Sequence, residues 1–416
     1  MTKKRKGIIT WCIYDWANSA FPTVIMTFVF STYFTKSVAK NTFLGTAQWG
    51  HAVALAGIII ALTSPIFGAI ADHQGRRKPW LAFFTLLCIV ASAMLWYTKP
   101  HVSDVIWALS WSVLGIIGFE IGMVFYNAML SDLAPKNYLG RISGWAWGLG
   151  YFGGLASLLI ALFVFIDGHG LWLHLDTKAA EQIRINGPFV ALWFMLFAWP
   201  LFLWTPDRSP TGIPYKAALL KGLKSLYQTL LAARKNKEIL KFLLSRVFYI
   251  DGLNTIFAFG GIYAAGTFRM TFTEVVQFGI AMNVAAGLGA VGFAWLDDYK
   301  GAKLTVLISL LVMIICGSTM LLVHSKLLFW IFGMGLSLCV GPVQAASRSL
   351  MVRLSPKHLV TELFGLYAFS GKATAFLGPW ILGSVTLAFD SQRIGMSTVM
   401  VFLLIGGLIL TRVKEV

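Results

Sequence analysis

Long apolar stretches, separated by short polar loops, dominate the sequence. Windows such as 81–97, 304–323 and 396–411 run for about 20 residues with almost no charged side chain. A helix of that length crosses the hydrocarbon core of a bilayer, which is roughly 30 Å thick. The stretches do not alternate between polar and apolar residues, as the strands of a membrane β-barrel do. The pattern therefore predicts membrane-spanning helices.

Twelve spans can be placed in this way, which predicts an all-α membrane protein. Their predicted bounds are 8–33, 46–71, 80–97, 104–131, 141–166, 188–205, 238–266, 273–296, 304–323, 327–351, 363–389 and 396–412. The longest polar stretch, 206–237, separates six spans from six, so we expect one six-helix bundle at 1–205 and a second at 238–416. Apolar residues recur at helical spacing across 215–232, which predicts an amphipathic helix lying on the membrane surface.

Composition and charge agree with this picture. Charged residues make up only 12% of the 416 residues and hydrophobic residues 57%, whereas soluble domains average roughly 25% charged residues. The formal net charge is +17, and about two thirds of the Lys and Arg residues fall on the side that holds both termini. By the positive-inside rule that side is the cytoplasm, which predicts a plasma (inner) membrane protein with cytoplasmic termini. The excess charge is thus a topology signal, and we expect no nucleic acid partner.

The sequence lacks the usual features of an enzyme. The four cysteines lie in apolar segments without metal-ligand spacing, and the seven histidines are scattered. A Gly-x-x-x-x-Gly-Lys-Ser/Thr loop, which ATP-driven transport would need, does not occur. We therefore predict a protein that is not an enzyme and that has no disulfide, metal or other cofactor.

A rare polar pattern occurs twice within the apolar segments. Residues 14–22 and 249–257 share the sequence Asp-x-x-Asn-Ser/Thr-x-Phe. Asp15 and Asn18 share one helical face, and Asp251 and Asn254 do the same. A carboxylate inside a membrane helix is energetically expensive and therefore indicates a functional site. Its recurrence in the first and seventh spans predicts two opposed walls of one polar cavity between two related halves.

Loops on the predicted cytoplasmic side repeat as well. Residues 68–78 read Gly-x-x-x-Asp-x-x-Gly-Arg-Arg-Lys, and 294–303 form a degraded copy. After the fourth span, Asp132-x-x-Pro is followed by Arg141. After the tenth span, Arg353-x-x-Pro is followed by Glu362 at the same offset, so the charges are inverted. The sequence leaves open whether these charges pair within each half or across the halves.

These motifs carry a family resemblance. The 68–78 loop resembles the signature of the major facilitator superfamily, and Tyr14–Phe21 with Ala71–Trp80 resembles its autophagy-related vacuole-effluxer branch and the bacterial relatives of that branch. The resemblance implies a twelve-helix rocker-switch transporter latched on the cytoplasmic side, and its vacuolar members are linked to amino-acid efflux. Positive-inside topology alone explains Arg77 and Lys78. The residues expected to form the cytoplasmic gate are Asp72, Gly75, Arg76, Asp132, Arg141, Asp298, Arg353 and Glu362.

Charged side chains also occur within other spans. Glu120, Arg246, Arg348 and Lys372 lie in the fourth, seventh, tenth and eleventh spans. With the two aspartates, six unpaired charges would cost on the order of 15–20 kcal/mol, which exceeds a folding margin of about 5–15 kcal/mol. They must pair, face water or become neutral. Arg246 lies near the start of its span, which favours snorkelling or a salt bridge, whereas Lys372 lies deeper and favours a functional role.

A cavity that holds acids and bases suits a zwitterion such as an amino acid. Lys372 or Arg348 would bind its carboxylate, and an aspartate of the first or seventh span its ammonium group. The acids Asp15, Glu120 and Asp251 are also candidates for proton coupling, because one charge moved through 100 mV is worth roughly 2.3 kcal/mol. The side chains expected to bind the substrate are Asp15, Asn18, Tyr126, Asn127, Asp251, Asn254, Asn283, Gln344, Arg348 and Lys372.

The sequence thus predicts a monomeric secondary transporter of a small polar solute, with the lipid bilayer and coupling protons as its other partners. A cation-coupled sugar symporter is one alternative, since an acidic first span and a basic loop also suit that class. Export of a larger amphiphile, such as a drug or siderophore, is another.

Overall fold

The computed structural model describes residues 3–166, 175–213 and 237–415, together with a few helical residues between 217 and 224. Within these residues the chain is helical and has no β-strand. The principal helices are α1 (Lys3–Asn18), α2 (Thr42–Gln74), α3 (Lys78–Met94), α4 (Val105–Leu133), α5 (Leu139–Ile160), α6 (Asn186–Trp204), α7 (Lys237–Phe268), α8 (Phe272–Lys300), α9 (Ala302–Leu322), α10 (Lys326–Leu354), α11 (Val360–Lys372 and Leu377–Phe389) and α12 (Gln392–Thr411). The amphipathic helix predicted for 215–232 falls largely outside the described residues.

Eleven of the described helical segments are long and apolar enough to cross a membrane. The first pass differs, because α1 ends at Asn18 and the chain continues through Phe21–Phe28 and Phe34–Val38 in wider π-helical turns. Pro22, which has no backbone N–H to donate, lies in the first of these turns. A turn at 373–376 also interrupts α11. With the loosened first segment included, the described chain makes twelve passes, which confirms the predicted all-α, twelve-span architecture.

Buried apolar side chains form two clusters. One lies within α1–α6 and includes Trp11 and Phe125, and the other lies mainly within α7–α12 and includes Phe242 and Phe329. Within a bilayer such packing stabilises mainly through van der Waals contact, because lipid tails are as apolar as the side chains. The two halves meet chiefly along two helix pairs, α2 with α11 and α5 with α8.

Glycines allow the backbones to approach closely at both helix pairs. A Cβ on Gly68 of α2 would overlap the carbonyl oxygen of Thr361 in α11, and one on Gly365 of α11 would lie 2.5 Å from the carbonyl oxygen of Ser64. At the second pair, a Cβ on Gly144 of α5 would overlap the carbonyl oxygen of Ala290 in α8. Small residues permit this kind of close helix contact in membrane proteins generally.

The two ends of the bundle differ in how tightly the halves meet. The first and last described residues, 3 and 415, lie at the end that also holds the loops at 75–77, 134–138 and 355–359. We call this end the basic end and the opposite one the far end. Hydrogen bonds between the halves, among the described residues, lie at the basic end or in the central layer. Toward the far end, cavities of about 600 and 340 Å³ lie between residues of both halves. The structure is therefore closed at the basic end.

Candidate functional site

An ion pair between the two halves lies at the centre of the molecule. Nη1 of Arg348 in α10 is 3.1 Å from Oδ2 of Asp15 in α1, and both side chains are buried. Asn18, one turn along α1, donates to the other carboxylate oxygen at 3.3 Å. The pair neutralises two charges that would each be costly inside a membrane protein. Asp15 therefore takes part in a contact between the halves.

Both polar and aromatic groups hold Arg348 in place. Its Nε and Nη2 donate to the hydroxyl and the carbonyl oxygen of Ser143 at 2.9 and 2.6 Å, and Nη1 also donates to Asn127 at 3.2 Å. The rings of Trp11 and Tyr126 stack with centroids 4.5 Å apart, and the guanidinium lies 4.9 and 5.7 Å from them. A planar guanidinium suits this combination of forked hydrogen bonds and ring contacts. Sequence reasoning misses Ser143, since nothing in its local sequence marks it.

The second aspartate of the repeat has a different environment. Oδ2 of Asp251 accepts a hydrogen bond from the N–H of Gly378 at 3.1 Å, where the second piece of α11 begins. Asp251 is buried, and its Oδ1 has no hydrogen-bond partner among the described residues. Free N–H groups and the helix dipole stabilise a carboxylate at a helix N-terminus. The structure thus does not bring Asp15 and Asp251 together as opposed walls of one cavity, because Asp251 faces a helix of its own half.

A polar cavity of about 270 Å³ lies beside Arg348, between the halves. Nζ of Lys372 on α11 is 2.6 Å from Oε1 of Glu120 on α4, so a second ion pair crosses between the halves here. Both side chains are partly exposed. The lining also includes Asn127, Trp147, Arg246, Asn254, Gln344 and Tyr367. The cavity therefore presents charges of both signs, amide groups and aromatic rings.

Three of the predicted hydrogen-bonding residues line this cavity. They are Asn127, Asn254 and Gln344, and the last donates to the hydroxyl of Tyr151 at 3.1 Å, across the halves. Asn254 is exposed to the cavity and makes no hydrogen bond with a described residue. It is therefore free to bind a solute.

Three other predicted residues lie outside the cavity lining. Asn18 is buried against Asp15, and Tyr126 is buried with its hydroxyl donating to the carbonyl oxygen of Trp11. Asn283 lines the two cavities nearer the far end, and its amide donates to the carbonyl oxygen of Gly279 at 2.9 Å. Direct contact with a solute in the central cavity is therefore not expected of these three residues in this conformation.

Arg246 lies against the central cavity rather than at the membrane surface. Its Nη1 donates to the carbonyl oxygen of Tyr367 at 2.7 Å and to the hydroxyl of Ser370 at 2.9 Å, and its guanidinium lies 3.4 Å from the centre of the Tyr367 ring. It forms no ion pair with any acid in the part of the chain that the structure describes. The expectation of snorkelling or a salt bridge is therefore wrong for this residue, because α7 begins well before the membrane-embedded turn that carries it.

At the basic end, Asp72 joins the last turn of α2 to the first turn of α11. Its Oδ2 accepts from the N–H groups of Thr361 and Glu362 at 2.8 and 2.9 Å, and its Oδ1 accepts from the Thr361 hydroxyl at 2.6 Å. Arg77 is buried beside it and donates to the same hydroxyl at 2.7 Å. Burial lowers the pKa of Arg77, whereas Asp72 and Asp132 act to raise it. A carboxylate of one half thus caps a helix of the other half.

The same arrangement recurs at the other helix pair. Asp298 of α8 accepts from the N–H groups of Gly140 and Arg141, at the start of α5, at 2.6 and 3.2 Å. Nε of Arg141 donates to the same carboxylate at 2.7 Å. The degraded sequence copy therefore keeps both its acid and the capping geometry.

The charge-inverted residues belong to separate networks. Asp132 lies 2.5 Å from Arg77 and 2.8 Å from Arg208, which follows the last span of the first half, and it does not pair with Arg141. Arg353 lies 2.7 Å from each of Asp297 and Glu415. The two networks have the same design with opposite signs, since an acid lies at the centre of one and a base at the centre of the other.

Of the two consecutive arginines in the loop, only Arg77 points inward. Arg76 is exposed and forms no ion pair with a described residue, so its predicted place in the gate is taken by Arg77. Gly75 ends α2 with a φ of +84°, a conformation that favours glycine, and its N–H donates to the carbonyl oxygen of Ala71 at 2.9 Å. This tight turn decides which arginine faces the protein.

Each half also contains a capping carboxylate that sequence reasoning misses. Asp207 accepts from two N–H groups at the start of α3, at 3.1 Å each. Glu415 accepts from two N–H groups at the start of α9, at 2.9 and 2.8 Å. A signal does exist, because each acid follows the last span of its half within a few residues. The internal repeat therefore extends to the end of each half.

Comparison with known proteins identifies a family that this chain matches and individual proteins that are similar to it. A family model described as "Vacuole effluxer Atg22 like" matches residues 51–415. The "Uncharacterized MFS-type transporter YxiO" of Bacillus subtilis (strain 168) is 29% identical over 399 residues, which cover 95% of this chain and 91% of that protein. Autophagy-related protein 22 of Kluyveromyces lactis is 24% identical over 362 residues, which cover 79% of this chain and 71% of that protein.

Solved structures show the same fold. The major facilitator transporter FucP in the outward conformation matches with a TM-score of 0.77 at 12% identity, covering 100% of both chains. The human organic anion transporter MFSD10 matches with a TM-score of 0.76 at 12% identity, covering 99% of this chain and 100% of that one. At such identities the likeness establishes the fold alone. Since the family model matches most of its length, the chain belongs to the vacuole effluxer Atg22-like family of major facilitator transporters, which are not enzymes.

Proposed function

We propose that this transporter moves an amino acid or a similar zwitterion by alternating access. The observation that carries the proposal is the central cavity, where Glu120, Lys372 and Arg246 lie together between the halves. A zwitterion brings one charge of each sign, so acidic and basic side chains can each bind the opposite charge through charge-assisted hydrogen bonds. The volume of about 270 Å³ is small for a ligand pocket, roughly 300–1,000 Å³, which favours a small solute.

The capping contacts of Asp72 and Asp298 support a rocker-switch movement. Both lie at the basic end and join one half to the other, so they hold that end closed and must break when it opens. A hydrogen bond to a charged group is worth about 1.5–3 kcal/mol, which is enough to favour one conformation without making it permanent. We place the basic end in the cytoplasm of a plasma (inner) membrane by the positive-inside rule, which makes the present conformation outward-facing.

Proton coupling is the second part of the proposal. Glu120 and Asp15 each pair with a base of the other half, at 2.6 and 3.1 Å. Protonation of either acid would remove its attraction for that base and so favour separation of the halves. The buried Asp251, with one unpartnered oxygen, is a third candidate. One proton moved through 100 mV supplies roughly 2.3 kcal/mol.

Uptake into proteoliposomes tests both parts. Purified protein would be supplied with mixtures of radiolabelled amino acids or sugars, with and without an inward proton gradient. We expect amino acids to accumulate and the gradient to increase their uptake, and we expect Glu120→Gln to lose the dependence on the gradient. Uptake of sugars but not of amino acids would contradict the proposal that the solute is a zwitterion.

A matched control separates proton coupling from general damage. Glu274→Gln removes an exposed acid that pairs with Lys326 at 3.0 Å near the far end, away from the central cavity. This variant should keep the response to the gradient. If wild-type uptake were independent of the gradient, the coupling proposal would be wrong while the zwitterion proposal stood.

A further inference from the structure

Arg246 is a buried cation whose charge no described acid neutralises. Only 8% of its surface is exposed, although it lies beside the central cavity. The other two bases of that cavity are paired, Lys372 with Glu120 and Arg348 with Asp15. A charged side chain at membrane depth costs roughly 2.5 kcal/mol or more unless an opposite charge or water compensates it. The position of Arg246 therefore calls for an anion that reaches it from the cavity.

The surroundings of Arg246 hold its guanidinium in one orientation. The Tyr367 ring lies beneath it at 3.4 Å, and Nη1 is bound by the Tyr367 carbonyl oxygen and the Ser370 hydroxyl. Gly371 leaves room for it, because a Cβ there would lie 2.9 Å from Nη1 and 3.3 Å from Nη2. Arginine binds planar anions best when its fork is preorganised in this way.

The remaining donors of Arg246 have no partner among the described residues. Nε is buried without a hydrogen bond, and Nη2 makes none either. These two groups form one edge of the planar guanidinium. A carboxylate accepts two parallel hydrogen bonds from such an edge. Nη2 is therefore the donor that a carboxylate can reach in this conformation, and the second bond of the pair, from the buried Nε, requires this atom to be uncovered when the solute enters.

We propose that Arg246 binds the carboxylate group of the transported solute. The inference rests on the proposed function and adds to it, since it assigns the anionic end of the zwitterion to the first helix of the second half. Glu120 lies on α4 of the first half and pairs with Lys372, and it can exchange this lysine for the solute's ammonium group. Arg348, which is engaged by Asp15, Asn127 and Ser143, is not the carboxylate receptor in this conformation.

Thermal unfolding of the purified protein tests the assignment. The probes are the twenty free L-amino acids, acetate and lactate, each compared with the corresponding amide, which lacks the negative charge. A solute that binds the folded state raises the melting temperature by mass action. We expect acids to stabilise the wild type and their amides not to, and we expect Arg246→Gln to raise the half-saturating concentration of the acids by about 10-fold or more.

Two further variants keep the test sensitive to the geometry. Arg246→Lys retains the charge but loses the fork, so binding should weaken less than in Arg246→Gln. Gly371→Ala leaves Arg246 in place but crowds its Nη1, so it should weaken binding of the acids without altering any charge. Arg393→Gln is the matched control: Arg393, like Arg246, forms no ion pair with a described acid. It donates to the backbone carbonyl oxygens of Leu321 and Val323, but it does not line the central cavity.

The outcomes separate this inference from the proposed function. If no amino acid stabilises the wild type but acetate or lactate does so through Arg246, the inference stands and the zwitterion proposal fails. Unchanged binding of the acids by a folded Arg246→Gln protein would overturn the inference, and so would equal binding of acids and amides by the wild type. Failure of every carboxylate to stabilise the wild type would overturn it as well. Loss of binding in Arg393→Gln to the same extent would reduce Arg246 to a structural role.

Discussion

The two copies of the Asp-x-x-Asn motif occupy corresponding positions in the two halves but make different contacts. Asp15 crosses between the halves to Arg348 at 3.1 Å, whereas Asp251 stays within its half and caps the interrupted α11 through Gly378. The hydrogen bonds within each copy of the motif, by contrast, are alike. The hydroxyls of Ser19 and Thr255 each donate to the carbonyl oxygen four residues before them, at 2.7 and 2.8 Å.

The difference arises in the helix that each aspartate faces. The spacing of Asp132 and Arg353 aligns Arg348 of α10 with Asn127 of α4. Asp15 therefore meets an arginine across the interface, while the corresponding position for Asp251 holds a neutral amide. Without a cation opposite it, a buried carboxylate must find donors elsewhere, and the free N–H groups where α11 restarts supply one. One substitution in a repeat can thus convert a contact between halves into a contact within one half.

Substitution of Arg348 should have the largest effect. Arg348→Gln leaves the buried Asp15 without its counter-charge, which costs about 3–5 kcal/mol, whereas Asp251→Asn removes a single helix cap and should cost roughly 0.5–2 kcal/mol. Thermal unfolding in detergent measures both. The double variant Asp15→Asn with Arg348→Gln should recover part of the loss, because no lone charge remains buried. Equal losses for Arg348→Gln and Asp251→Asn would refute the distinction between the two copies.

Substitution of the capping aspartates at the basic end tests whether the two helix pairs contribute equally to closure of that end. Asp72→Asn and Asp298→Asn should each weaken closure by about 1.5–3 kcal/mol, because each removes charge-assisted hydrogen bonds to the other half. Distances between spin labels at the exposed Arg76 and Lys357, or at Asn137 and Lys300, would report opening of the first and second pair. Unchanged distance distributions in both variants would show that these contacts do not hold the end closed.

Close packing at the α2–α11 pair gives a prediction with a control in the same helix. Gly68→Ala places a Cβ against the carbonyl oxygen of Thr361 and should destabilise the closed conformation by about 1–3 kcal/mol. The second half tolerates an alanine at the equivalent Ala294, because Gly144 lies opposite it. Gly50→Ala, where a Cβ meets nothing, should leave transport and the spin-label distances unchanged. Equal effects of both substitutions would point to helix propensity rather than packing.

The smallest effects are expected at the two caps near the ends of the halves. Asp207→Asn and Glu415→Gln each weaken two hydrogen bonds at a helix start, which should cost roughly 0.5–2 kcal/mol in thermal unfolding. The loss of stability for Glu415→Gln should lie toward the upper end of that range, because the substitution also leaves Arg353 with one acid fewer. A larger loss for Asp207→Asn than for Glu415→Gln would show that the two caps contribute differently to stability despite their similar geometry.

Much of the architecture could be predicted from the sequence, because its causes are local. About 20 consecutive apolar residues suffice to predict a span, and the twelve passes follow from them. The high cost of a charge in such a segment identifies Asp15, Glu120, Arg348 and Lys372 as residues that must be paired or exposed to water. Among the described residues, these four form both ion pairs that cross the centre of the molecule.

The choice of partners was decided only by the tertiary structure. Asp15 and Arg348 are 333 positions apart, and their contact depends on the rotation and depth of two helices in different halves. The same applies to Asp251, which binds a helix end and does not line the cavity, and to Arg246, which pairs with no acid among the described residues. Hydrophobic patterning fixes which segments enter the membrane but is almost insensitive to a rotation of one residue. Such a rotation decides whether a charge meets its partner, a helix terminus or the cavity.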